Sequence, residues 1–549
     1  MRSVLRPLIL TAALFLPSHV AAQDLLLHGG RIYTGEGAAF VEALAVNDGR
    51  VAVAGSLADA RAAVPGAREI DLMGAAAYPG LVDAHAHLSG VGFREMTLNL
   101  EGAPSIAALV ERLSAWVEAH PGGEPIVGRG WIETHWPEAR FPTRQDLDRA
   151  VRDRPVVLTR ADGHALVANS AMLRLAGIDR ATPAPEGGEI LKDAAGEPTG
   201  MLIDNAMGLV RDKVPPPSAA ARAEAVKRGA DLYAARGWTG LHNMGASEEE
   251  IATQRTLAAR GDLPIRIDNY MSAEAGERVL REGPSADTTG LVRVRGVKLY
   301  MDGALGSRGA ALLEPYADAP GAGLIVTPPE TVAAVLARAR ASGAQMAVHA
   351  IGDRGNRLAL DAFEKAFEGD AVRLKAARWR VEHAQVLSPQ DLPRFARLGV
   401  IASMQPSHAI GDLHFAPARL GEARLKGAYA WESLMKTGAA LAGGSDAPVE
   451  KGDPLVEFYA AAYRHDLAGF AGPNWGLEEA LSREAALSIM TRGPAFAAHR
   501  EDELGLLAPG RLADISAFSV DLMTAPFEEI VGGRAVLTVV GGRVVYEGR

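Results

Sequence analysis

The stretch Tyr78-Pro79-Gly80-Leu81-Val82-Asp83-Ala84-His85-Ala86-His87 is a short apolar run that stops on two histidines separated by one small residue. On a β-strand, side chains two residues apart point to the same side, so His85 and His87 present their imidazoles together. Neutral imidazole is the commonest nitrogen ligand of zinc-like ions. Ordinary core and surface strands also carry His-x-His, so the weight of this pair depends on the rest of the chain. Three more segments that read as strands close on a potential ligand: Met346-Ala347-Val348-His349, Arg380-Val381-Glu382-His383 and Ala442-Gly443-Gly444-Ser445-Asp446. Lys298 lies in a fourth, Arg295-Gly296-Val297-Lys298-Leu299-Tyr300-Met301-Asp302-Gly303. Ligand-type residues repeated at successive strand ends are the pattern of a (β/α)8 TIM barrel, whose active site lies at the C-terminal rim.

Apolar runs at residues 239–244, 264–270, 400–404 and 439–443 bring the count to eight strands, in order. Ala-, Arg- and Glu-rich helical stretches separate them, the alternation of an α/β chain with a closed parallel sheet. One interval is too long: about 150 residues separate His87 from Thr239, where a βα connection needs a few dozen at most. Residues 95–220 therefore read as an insertion after the first strand with structure of its own. It leaves from the rim, placed either to cover the pocket as a lid or to decorate the solvent side, and returns near Pro215-Pro216-Pro217. Strand-like segments at residues 25–33 and 43–55, with a hairpin signal at Asn47-Asp48-Gly49, are matched at the far end by residues 513–518 and 535–546. These predict a small β-sandwich formed by both termini, residues 23–76 and 500–549, enclosing a barrel at 77–499.

With 549 residues, 48% of them hydrophobic, the chain can bury a large core in more than one unit. A net charge of −10 argues against nucleic acid as a partner, because phosphate binding needs a basic face. The absence of cysteine excludes disulfides, a thiol nucleophile and thiolate-held metal, leaving His, Asp, Glu and Lys as ligands. Arg2 and Arg6, the apolar run Leu8 to Leu16 and the small residues Val20-Ala21-Ala22 read as a secretory signal peptide over residues 1–22. The apolar run is too short to anchor the chain in a bilayer. The expectation is an exported protein, periplasmic or secreted, that acts on a small molecule; assembly into a homo-oligomer stays open.

These segments together resemble the amidohydrolase superfamily, and within it the amidohydrolase-3 branch that includes N-substituted formamide deformylases. The likeness rests on the stretch from Pro79 to His87, on Val297-Lys298-Leu299-Tyr300-Met301-Asp302-Gly303-Ala304-Leu305-Gly306-Ser307-Arg308, and on His349-Ala350-Ile351-Gly352-Asp353-Arg354. It continues through Glu382-His383-Ala384-Gln385, Gly444-Ser445-Asp446-Ala447-Pro448 and the terminal segment from Gly505 to Asp514. The resemblance implies a hydrolase with two divalent metal ions, zinc by default, although manganese, iron and cobalt accept the same donors. By that resemblance His85 and His87 bind the first ion, His349 and His383 the second, Asp446 completes the set, and a carboxylated Lys298 bridges the ions. The implied reaction is cleavage of an amide-type carbon–nitrogen bond by a metal-bridging hydroxide, with Asp446 as the catalytic proton carrier.

The side-chain chemistry is compatible with that assignment. A lysine ammonium has no lone pair, so Lys298 ligates only as a neutral or modified group; otherwise it pairs with Asp302 at the rim. Asp446, after Gly443-Gly444-Ser445, either joins the metal site or caps the turn that follows. Trp131, His164, His242 and Arg308 are candidate substrate-binding residues, and His408 and His414 lie on a rim loop of similar potential. Two other functions stay open on the same fold: hydrolysis of a lactone, ester or phosphotriester, and a non-catalytic binding or regulatory role. Amino-terminal sequencing of exported protein is expected to begin at Gln23; a sequence starting at Met1 would refute the signal peptide.

Overall fold

The computed structural model describes residues 23–548 apart from His135, so the signal peptide expected at 1–22 lies outside the described residues. The eight apolar runs form eight parallel strands: β1 (Leu81–Ala86), β2 (Trp238–Ala246), β3 (Arg266–Met271), β4 (Val292–Tyr300), β5 (Gln345–Ala350), β6 (Arg380–His383), β7 (Ile401–Met404) and β8 (Leu441–Gly443). Each pairs with its neighbour in sequence order, from β1 to β8. Their residues are buried on both faces, which explains why they read as nearly continuous apolar runs rather than alternating ones. The ring comes together where the chain leaving β8 meets β1: the Asp446 amide donates to the His85 carbonyl at 2.7 Å. Only glycine fits at position 444, since a Cβ there would lie 2.4 Å from the His85 amide nitrogen.

The opening stretch is split between two sheets. Ala76–Pro79 lies between Ile515–Phe518 and Arg31–Tyr33 in a terminal sheet, and the barrel strand starts only at Leu81. Gly80 makes the crossing, and a Cβ on it would lie 2.4 Å from Thr239 Oγ1. Hydropathy carries no mark of the change because both sheets are buried here.

The terminal segments build two sheets. One has four strands, in the order Arg50–Gly55, Ala43–Asn47, Leu25–His28, Arg68–Asp71. The other has six, ordered Arg543–Glu547, Ala535–Val540, Ile515–Phe518, Ala76–Pro79, Arg31–Tyr33, Phe40–Val41. Leu25, Leu27, Leu44 and Val46 share one apolar core with Ile515, Leu537 and Val539, so chain start and chain end pack as a sandwich. Between β1 and β2 the chain forms a further six-stranded sheet, running from Leu98–Asn99 to Pro198–Asp204, with cores of its own around Leu109, Trp131 and Leu158 and around Met172 and Leu202. Among the described residues no helix is long and apolar enough to cross a membrane.

Arg266, the first residue of β3, joins barrel to sandwich. Its guanidinium donates to both carboxylate oxygens of Asp514, at 2.7 and 3.0 Å, and both residues are buried. Removing one partner of such a pair strands a buried charge. Asp514→Ala is expected to destabilise the fold by about 3 kcal/mol, read as a lower midpoint in urea unfolding; an unchanged midpoint would show that the pair contributes nothing to the join.

Candidate metal centre

At the C-terminal end of the barrel each histidine gives one ring nitrogen to a fixed acceptor and turns the other inward. His85, fully buried on β1, donates from Nδ1 to Glu382 Oε2 at 2.7 Å. Its Nε2 then lies 3.2 Å from Lys298 Nζ and 3.4 Å from Asp446 Oδ1. His87 stands one residue past the strand, at φ −123° and ψ 87°, and like His85 it approaches Asp446 Oδ1. Its Nδ1 donates to the Met244 carbonyl at 2.9 Å, and its Nε2 is 3.0 Å from Asp446 Oδ1. His383 donates from Nδ1 to Gln405 Oε1 at 2.7 Å. His349 uses the opposite nitrogen, Nε2, toward the Gly303 carbonyl at 3.3 Å, which leaves Nδ1 as its lone-pair atom. The ring centres of His349 and His383 are 4.5 Å apart, those of His85 and His383 4.9 Å. Burial pushes His85, His349 and His383 well below the usual imidazole range, so their inward nitrogens carry free lone pairs.

Asp446 closes the group. It has a left-handed backbone (φ 58°), which costs an L-residue energy and persists here against the hydrogen bond to His85. Its carboxylate faces His87, His85 and His408 rather than capping the following turn, with His408 Nε2 3.7 Å from Oδ2. Burial raises this carboxyl, but His85, His87 and His408 outweigh it and hold the group well below the usual carboxylate range. Lys298 is 1% exposed, and burial lowers its ammonium to about 8. The expected alternative partner is engaged elsewhere: Asp302 accepts the amides of Ala311, Ile351 and Gly352 at 2.8, 2.9 and 2.8 Å. Among the described residues no carboxylate lies within ion-pair distance of Lys298 Nζ.

This donor set fits a divalent ion. The ligand atoms of His85, His87 and Asp446 lie within 4.8 Å of one another, as do those of His383, His408 and Asp446. The buried His408 Nε2 has no hydrogen-bond partner among the described residues. Imidazole nitrogen with carboxylate oxygen, and no thiolate, suits zinc, manganese, iron or cobalt. An unmodified Lys298 ammonium is the one group here that would repel such an ion.

His85, His87, Lys298, His349, His383 and Asp446 thus converge from five strand ends, and all but the buried His85 border one cavity of about 890 Å³. His164 reaches the same cavity from the insertion, its Nδ1 2.6 Å from Asp204 Oδ1 and its ring 4.9 Å from His349. The other three substrate-binding candidates are elsewhere. Trp131 is fully buried in the insertion core, donating to the Leu158 carbonyl at 2.9 Å. His242 lies inside the barrel and accepts from Arg380 Nη1 at 2.7 Å, so its ring is committed to that guanidinium. Arg308 pairs with Asp318 at 2.9 Å, outside the cavity lining. Of the rim-loop histidines, His408 lines the cavity, whereas His414 pairs with Asp466 at 3.0 Å away from it. Sequence reasoning gave no role to Glu382 or to Arg380, whose Nε donates to Glu382 at 2.8 Å. Their signal was present, two charges on the same face of an otherwise apolar strand, which in a barrel must pair inside.

The chain matches the Amidohydrolase family over residues 68–546. It is 35% identical to the putative amidohydrolase YtcJ of Bacillus subtilis (strain 168), across 95% of this chain and 99% of that protein. It is 28% identical to an N-substituted formamide deformylase of Arthrobacter pascens, across 92% of this chain and 95% of that one. Among solved structures, an uncharacterized metal-dependent hydrolase from Pyrococcus horikoshii OT3 aligns with a TM-score of 0.74 at 28% identity, covering 92% of this chain and 99% of that chain.

Glu382 fixes which nitrogen His85 turns inward, so Glu382→Gln removes the anionic acceptor while keeping the volume. Zinc affinity is expected to fall about 10- to 100-fold, the usual effect of losing such a support, measured by competition with a chromophoric chelator. Unchanged affinity would detach His85 from metal binding.

Proposed function

The chain belongs to the amidohydrolase family and is a metal-dependent hydrolase; within that class we propose that it cleaves a carbon–nitrogen bond of amide type. The observation that carries this reading is the convergence of the imidazoles of His85, His87 and His408 on one carboxylate, Asp446, in a cavity at the barrel rim. The relative from Arthrobacter pascens, named for deformylation of N-substituted formamides, supports the amide part.

In this proposal His85 and His87 would hold one ion. His349 and His383 would hold the second, and Asp446 would complete the set. Lys298, once carboxylated, would join these ligands: the modification would turn a buried cation with no carboxylate partner into an anion suited to the site. Ions bound there supply a hydroxide near neutral pH and polarise the substrate carbonyl. Asp446, ionised and within 4 Å of His85, His87 and His408, accepts a proton at its carboxylate and returns it to the departing nitrogen. That return matters because an unprotonated amine is a poor leaving group. His164, oriented by Asp204, offers its other ring nitrogen to a substrate oxygen. The insertion contributes part of the cavity wall, including Arg129, His164 and Asp204.

Two measurements test this. Holoenzyme assayed on a panel of amides, esters and lactones is expected to favour amides; fast ester or lactone turnover with none on amides would refute the amide assignment. Lys298→Ala is expected to lose bound metal and nearly all activity while keeping its circular dichroism spectrum, and a short carboxylic acid added to it is expected to restore part of the rate. Lys298→Arg stays dead, because guanidinium remains cationic. Full metal content and near-normal rates in Lys298→Ala would remove Lys298 from the centre.

A further inference from the structure

The charged groups on the cavity wall do not balance. Its carboxylates are nearly all matched: Asp162 with Arg160 at 2.5 Å, Asp204 with His164 at 2.6 Å, and Asp446 with its histidines. Asp412 accepts from Gln385 at 2.8 Å and from Tyr429, and Glu450, raised to about 7 by burial, stands 4.0 Å from His408. Two guanidiniums are not matched. Arg129 donates to the carbonyls of Pro448 and Ala161, at 2.5 and 3.1 Å, and to no carboxylate among the described residues. Arg211, an exposed residue that lines the cavity where the insertion turns back to the barrel, has no side-chain hydrogen bond and no ion pair among the described residues.

Tyr300 lines the same cavity beside the reaction centre. It ends β4, two residues beyond Lys298, whose Nζ lies 4.8 Å from the phenol ring, and the ring is 5.3 Å from that of His349. Its hydroxyl has no hydrogen-bond partner among the described residues. Much of the remaining wall is apolar, including Phe93, Met96, Ile132, Met207, Leu305 and Phe415.

We propose that Arg211 and the Tyr300 hydroxyl bind a carboxylate carried by the substrate, so that the enzyme acts on amides with an apolar body and a free carboxylate. The amide part rests on the function proposed above. A guanidinium presents parallel N–H donors that match a carboxylate, and the phenol adds a third donor on the side of the centre. A neutral group in the same place leaves these donors unpaired, which is what makes a polar site discriminate. Arg129 is held by two carbonyls, which leaves Arg211 and a neutral phenol, a pair that suits one negative charge. A doubly charged phosphate would have to enter a wall that already carries Asp204 and Glu450. The opposing view is that water alone satisfies Arg211, in which case the cavity would not distinguish charge.

The test is binding to the purified holoenzyme by calorimetry, using 5-phenylpentanoate and its neutral isostere 6-phenylhexan-2-one, neither of which contains a cleavable amide. The carboxylate is expected to bind about tenfold or more tightly than the ketone, the scale of a charge-assisted hydrogen bond. Arg211→Gln is expected to bring it down to the ketone's affinity, while Arg308→Gln, outside the cavity, keeps the preference. Equal binding, no binding of either probe, or a preference that survives Arg211→Gln (the carboxylate then sitting on the ions) would overturn the proposal. Amide turnover is scored separately, so its failure would count against the hydrolase reading and leave the binding result standing.

Discussion

Arg380 is a guanidinium with no solvent exposure, placed inside a barrel. Such a charge is tolerable only when its donors are satisfied. It bonds Glu382 on β6, the Ala84 carbonyl on β1, His242 on β2, Tyr270 on β3 and Ser403 on β7. Five strands are therefore held to one planar group just beneath the metal-type ligands. The same requirement explains two residues at once. Glu382, drawn in as the counter-charge, has its other face free to fix His85. His242 must stay an acceptor toward a permanently charged donor, so burial and Arg380 both keep it neutral.

Above that layer the ligands are few, and the backbone spends strain to place them. His383 and Asp446 both have left-handed φ, 74° and 58°, at the ends of β6 and just past β8. Residues in that region persist only where their surroundings over-determine them. Here Gln405 holds the His383 ring and the His85 carbonyl holds the Asp446 amide. The closure of the barrel and the aim of its carboxylate are thus one hydrogen-bonded junction.

The strands and the six ligand-type residues were legible because each is a local pattern: an apolar run with a polar residue at its end. What was not legible depends on which surfaces meet. Trp131 and Arg308 lie beside motif residues in sequence, yet one turns into the insertion core and the other outward to Asp318. Pro79 and Leu81 read as one strand but belong to different sheets, because both are equally buried. The cavity wall supplied by Arg129, Asp204 and Arg211 comes from the insertion, whose docking on the rim leaves no periodic trace.

The position of Ala76–Pro79 bears on how the chain is made. This strand lies between Arg31–Tyr33, close behind it in sequence, and Ile515–Phe518, more than four hundred residues ahead. On a ribosome the first neighbour is available early and the second only near the end of synthesis. Until then one edge of an apolar strand stays open, an edge prone to wrong pairing. The barrel can assemble strand by strand as it emerges, but its foundation cannot, and a chain that stops before residue 515 carries every metal-type ligand and still lacks the sheet from which β1 departs.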